Sequence, residues 1–199
     1  MAATAISGNV VDAFAPMSAR RLLVLAGISL IAGGMLFGDI FAVFVLHQNG
    51  GRTGQVLLSA VQAAAQRNEA GVQKAFAEVG ALLEDRGTKV DTHVHMTDAG
   101  YLALLLALVQ PYIALPQKRK QDFAKLFVAG SVMLPVGIFL IHYVGLAYSP
   151  FPVIGWASVL ADAGGVLLII ALVAEGWGLT RYLRGERFSA DAEVFNDSS

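Results

Sequence analysis

Four histidines, His47, His93, His95 and His142, are the residues of this 199-residue sequence best suited to hold a metal ion or a haem. Imidazole binds haem iron, copper and zinc alike, so ligand type does not choose among them. The sequence has no cysteine, which excludes disulfides, thiolate-held iron–sulfur clusters and covalently attached c-type haem. A second set, Asp39, Asp98, Tyr101, Tyr143 and Asp162, supplies carboxyl and phenol groups fit to relay protons or to orient metal-bound imidazoles. For Asp39 and Asp162 the plainer alternative is a protonated pair that bonds helix to helix. The chemistry open to these groups depends on whether the chain gathers them.

The elements that must position them are membrane helices. Apolar residues make up 56% of the chain and charged residues 15%, against about 25% charged in a soluble domain. Four segments, roughly 22–46, 96–115, 123–147 and 154–179, reach the ~20 residues that cross a hydrocarbon core of about 30 Å. Trp156 and Trp177 bracket the last at a helical separation of about 31 Å, the distance between two interfacial aromatic belts. The reading is an all-α, integral membrane four-helix bundle over 22–184, with a polar segment at 1–21 and a polar tail at 185–199. The first apolar run, about 25 residues, exceeds the roughly 7–15 of a cleaved signal core and should stay as an anchor.

Arg20, Arg21, Lys118, Arg119, Lys120, Lys125, Arg181, Arg184 and Arg187 fall on one side of a four-span zigzag. The positive-inside bias then places both termini in the cytoplasm of a multi-pass protein of a bacterial-type inner or plasma membrane. With these residues engaged by topology and a net charge of -1, no basic stripe remains for nucleic acid. The long connection 48–92 lies outside. Within it Val72, Phe76, Val79 and Leu83, and Leu57, Val61 and Ala64, recur at helical spacing, predicting an amphipathic helix or hairpin over the outer end of the bundle. Its sharper reading is a docking surface, with homo- or hetero-oligomers forming through 53–86.

This topology brings all four histidines to one outer layer. His47 ends the first span, His93 and His95 precede the second, and His142 lies roughly 7 Å below the outer edge of the third. Taken singly, His47, His93 and His95 also suit a wet interface; His142, within a span, calls for a partner. On a helix His93 and His95 point about 200° apart, whereas on an extended lead-in they share a face. Asp39 and Asp162 come out roughly 12 Å deep from the outer side, where with Tyr101 and Tyr143 they would form a polar layer under the histidines. Gly33, Gly34, Gly38, Gly130, Gly137, Gly164 and Gly165 admit a flat macrocycle or, more simply, close helix packing. Pro111 and Pro135 should kink their spans, and Glu175 should snorkel to the inner interface and pair with an arginine.

The stretch His93-Val94-His95-Met96-Thr97-Asp98-Ala99-Gly100-Tyr101, running into LALLLALVQPYIALP, resembles the histidine-bearing helix starts of haem-copper oxidase subunit I and nitric oxide reductase, and small four-helix membrane proteins sharing the His-x-His-x4-Gly pattern. The resemblance covers about 25 residues. It implies an axial ligand of b-type haem at His95, or alternatively His93. Four spans and four histidines are too few for the large enzymes' dozen helices and separate copper site, so a complete oxygen or nitric oxide reductase is excluded.

The expected function is therefore a membrane b-type haem protein with a redox, haem-handling or small-gas role. His142 and His95 would be axial ligands, His47 and His93 a nearby pair, and a quinone or a periplasmic protein the redox partner. Copper or zinc on the same histidines is the alternative, as is a non-catalytic scaffold subunit of a membrane complex. Whether the chain is itself a membrane oxidoreductase stays open at this point.

Overall fold

In a computed structural model, the backbone of residues 17–142 and 155–186 is described, with all side chains among them except those of residues 45, 46, 48, 84–89, 142 and 156. The described chain is all helix and contains four helices long and apolar enough to cross a membrane. Helix α1 spans Ala19–Phe41, capped by the Ser18 hydroxyl, which accepts a hydrogen bond from the Arg21 N–H at 3.3 Å. It does not stop at His47, where the apolar pattern ends. A π-helical turn, Ala42–Leu46, carries it straight into α2, His47–Ala65. The turn 66–68 follows, with Arg67 at φ 55° and the Asn68 side chain accepting from the Gly71 N–H at 3.0 Å. Helix α3 then runs unbroken over Glu69–Val109.

These two rods set the shape. At 1.5 Å per residue the 47 residues of Ala19–Ala65 extend about 70 Å and the 41 of α3 about 60 Å, twice what a bilayer core needs. The surplus is a stalk: α2 packs antiparallel on the first half of α3. Its small core is Val56, Ala60 and Ala75 with Val79 and Leu82, and an Arg52–Glu78 ion pair at 3.1 Å ties the two helices. The long connection is thus a helical hairpin, as one of the two expected forms, continuous with the membrane helices at both ends. Its two apolar stripes divide between roles. Val79 packs inward, while Leu57, Val61, Phe76 and Leu83 stay exposed.

Pro111 ends α3 instead of kinking it, starting a 3-10 turn, Gln110–Tyr112. The buried residues Ile113, Ala114 and Leu115 then lead to α4, Gln117–His142, with Pro135 inside it. The last helix, α5, covers Trp156–Leu183. The connection between the last two apolar segments at 148–153, Tyr143, the tail beyond 186 and the first sixteen residues lie outside the described residues.

Small residues decide which helices pair. Gly27 on α1 and Gly100 on α3 lie so close that a Cβ on either would sit 2.8–2.9 Å from the other's carbonyl oxygen. Gly130, Gly137 and Gly164 do the same for α4 and α5: a Cβ on Gly137 would lie 2.5 Å from the Ala161 nitrogen, and one on Gly164 would strike the Leu134 backbone. The packing explanation therefore holds for these glycines, whereas Gly165 faces open space. The two pairs join at the end bearing the arginines and lysines, where Leu23, Ala103, Ala107, Ala124, Phe127 and Ala171 bring all four helices into one core.

Candidate functional site

The end of the bundle nearest the stalk carries the histidines. Counting about 20 residues for a hydrocarbon core from Tyr112 on α3 reaches Thr92, and from Arg21 on α1 reaches Phe41. That boundary differs from the one the apolar run suggests, because α1 continues beyond it as water-facing helix. His47 then lies beyond the membrane edge, where its side chain is exposed. His93 and His95 sit within the edge, and His142 is the last residue of α4, its side chain outside the described residues. The same count moves Asp39 from the expected depth of about 12 Å to within about 3 Å of the edge.

Because α3 is helical through this region, His93 and His95 diverge. His95 is exposed on the flank of the bundle, and His93 turns toward α1. Its ring stacks on Phe41 with centroids 6.2 Å apart and lies 3.2 Å from where a Gly38 Cβ would be. The His93 Nδ1 is buried without a hydrogen-bond partner, as is the Oγ1 of Thr92 beside it. Among the described residues no three His, Asp or Glu side chains come together in a group able to hold a metal ion.

Below Thr92 an apolar cavity of about 250 Å³ opens between α1, α3 and α4, lined by Leu30, Phe37, Met96, Pro135 and Phe139 among others. Phe37 and Phe139 meet edge to face across it, with centroids 5.8 Å apart. Pro135 contributes to its wall, within an α4 that is helical from Gln117 to His142.

The carboxylates and Tyr101 point the other way. Asp39, Asp98, Tyr101 and Asp162 are all exposed on the outside of the bundle, none with a hydrogen bond or ion pair to another described residue. They do not form an inner polar layer beneath the histidines. Tyr143 lies outside the described residues.

The polar cluster that does lie inside the bundle is at the opposite, basic end. Glu175 on α5 is 1% exposed, and both its carboxylate oxygens accept from the Gln110 Nε2 at 2.9 Å. Lys120, also buried, donates from Nζ to the Gln110 carbonyl at 3.3 Å and lends its positive charge to Glu175. The Ala114 N–H bonds the Gly178 carbonyl at 3.0 Å and locks the connecting turn to α5. Glu175 therefore does not snorkel toward an arginine. The 3-10 turn started by Pro111 brings Gln110 to it, and Arg181 pairs with Glu186 instead. The signal was present in the sequence as one acid, one amide and one lysine near span ends, but nothing in their spacing links them.

Compared with models of protein families, with curated proteins and with solved structures, the chain matches none.

Proposed function

We propose that this chain is a membrane-embedded docking subunit, which uses its four-helix bundle to hold a rigid two-helix stalk outside a bacterial-type inner or plasma membrane, where the stalk engages a protein partner. One observation carries the reading: both legs of the stalk are unbroken extensions of membrane helices, so the stalk cannot swing freely. Leu57, Leu58, Val61, Phe76 and Leu83 stay exposed on it, a quantity of apolar surface that a water-facing hairpin ordinarily covers with a partner. Arg20, Arg21, Lys118, Arg119, Arg181 and Arg184 gather at the far end, and the positive-inside bias assigns that end, with both termini, to the cytoplasm. On intact cells an impermeant thiol reagent should label Gln55→Cys in the stalk and leave Gln117→Cys untouched. A photo-crosslinking residue at Phe76 should capture one discrete partner, and Phe76→Glu should abolish the complex. Labelling of Gln117→Cys, or no adduct from Phe76, would overturn the proposal.

A second reading, a b-type haem protein with a redox or small-gas role, is favoured by His93. Its Nδ1 is buried without a partner, and Gly38 keeps the space beside its ring clear. His93 would hold the iron from α3, with His142 or His47 as the second ligand, since His95 points away on the other face of the helix; copper or zinc is the variant with the same donors. The haem would supply one-electron chemistry, for which a quinone or a periplasmic protein is the natural partner class. A visible spectrum of the purified protein, with metal analysis, decides it: a Soret band lost in His93→Ala supports haem, and a colourless, metal-free protein rejects the reading.

A further inference from the structure

One face of α3 is built for the membrane interior except at its upper end. His95, Asp98, Leu102 and Leu105 recur at steps of three, four and three, with Tyr101 and Leu108 beside them, and all six side chains are exposed. The opposite face of the same helix, from Ala99 through Ala103 to Ala107, is buried against the rest of the bundle. The exposure is therefore a property of the side on which α3 has no neighbour.

Measured down from the edge at Thr92, His95 lies about 4.5 Å deep, Asp98 about 9 Å and Tyr101 about 13 Å. Ionisable side chains at such depth almost always face a protein interior and pair there, because lipid chains offer no hydrogen bonds. Here the chain supplies no partner for any of the three among its described residues. A face of this kind is completed when another polypeptide packs on it.

The geometry points to a second copy of this chain as that polypeptide, packed along the α3 face in a two-fold dimer. The face carries both a donor, the His95 imidazole, and an acceptor, the Asp98 carboxylate, one helical turn apart. Such a face is complementary to itself: across a two-fold axis the imidazole of each copy meets the carboxylate of the other, giving two pairs from one patch. The three-four spacing continues the contact through Leu102 and Leu105, the pattern by which two helices interlock side chains over several turns. This pairing leaves the stalk surfaces of Leu57 and Phe76 to a different partner, and it stands or falls separately from either reading above.

The chain has no cysteine, so single cysteines report contacts without background. The full chain should be reconstituted in liposomes and oxidised with Leu102→Cys, Leu105→Cys or, as a lipid-facing control, Ile169→Cys on α5, which is also exposed. A covalent dimer should form with the first two and not with the third. Adding Asp98→Asn or His95→Gln to the Leu105→Cys chain should lower the dimer yield at least fivefold while the helical circular dichroism is unchanged. Equal cross-linking at all three positions, no dimer from either α3 cysteine, a yield indifferent to Asp98→Asn, or an adduct in native membranes with a different protein would each overturn the proposal.

Discussion

The cluster of Gln110, Lys120 and Glu175 makes a quantitative prediction, because among the described residues it is the polar network that lies wholly inside the bundle. Gln110→Leu removes the donor that reaches both Glu175 oxygens at 2.9 Å and leaves a carboxyl group 1% exposed with only the charge of Lys120 for company. A hydrogen bond to a charged group contributes about 1.5–3 kcal/mol. Neutral interhelical bonds in membrane proteins average about 0.6 and reach about 1.7 kcal/mol. Part of the loss is returned, because the Gln110 Oε1 is itself buried without a partner and disappears with the substitution. The expected destabilisation is about 2 kcal/mol for Gln110→Leu. Glu175→Leu should cost about 3 kcal/mol, since it strips the Gln110 amide of its acceptor and leaves buried Lys120 without a nearby counter-charge. The double substitution replaces both partners by apolar groups and should fall near 2 kcal/mol, the asymmetry expected when neither group is left unpaired. The coupling is then about 3 kcal/mol, larger than distant sites show. Equilibrium unfolding in mixed micelles, followed by Trp177 fluorescence, gives all four corners of the cycle. A coupling below about 0.5 kcal/mol would refute the reasoning and reduce the cluster to incidental proximity.

Three further outcomes follow from the packing. Gly137→Val should prevent α4 and α5 from closing, because its Cβ would meet the Ala161 backbone at 2.5 Å, whereas Gly165→Ala, with nothing within 4 Å, should be neutral or stabilise by up to about 1 kcal/mol; thermal melts of the two variants check this. In the stalk, Ala60→Asp should place a carboxylate in the Val56–Ala75 contact and raise hydrogen exchange across α2, while Arg52→Ala should cost about 0–1 kcal/mol because its ion pair is largely exposed. Arg67→Gly should slow exchange at the stalk turn, stabilising it by up to about 1 kcal/mol, because a φ of 55° strains any residue with a Cβ.

Residue pattern alone determined that this is a chain of four helices long and apolar enough to cross a membrane, with a helical connection between the first two. Long apolar runs, clustered arginines and lysines, and three-four apolar spacing are local properties, each read within one segment. The close approach at Gly130, Gly137 and Gly164 was legible for the same reason, since a glycine admits a neighbour whichever helix comes to it, whereas the Gly27–Gly100 contact emerged only from the structure. What the pattern could not supply was where helices end and which way each face turns. Hydropathy falls off at His47, yet hydrogen bonding continues through the π turn, because polarity ends an apolar run without ending a helix. That continuity moved the membrane edge, raised Asp39 toward it, and fixed His93 and His95 on opposed faces of α3. Facing depends on neighbours from distant sequence. Depth alone placed Tyr101 beneath the histidines, but the pairing of α1 with α3 turned it outward. The Pro111 turn brought Gln110 to Glu175, 65 residues away. Only the tertiary arrangement decides such contacts, because a one-dimensional pattern records how deep a side chain lies and not what stands across from it.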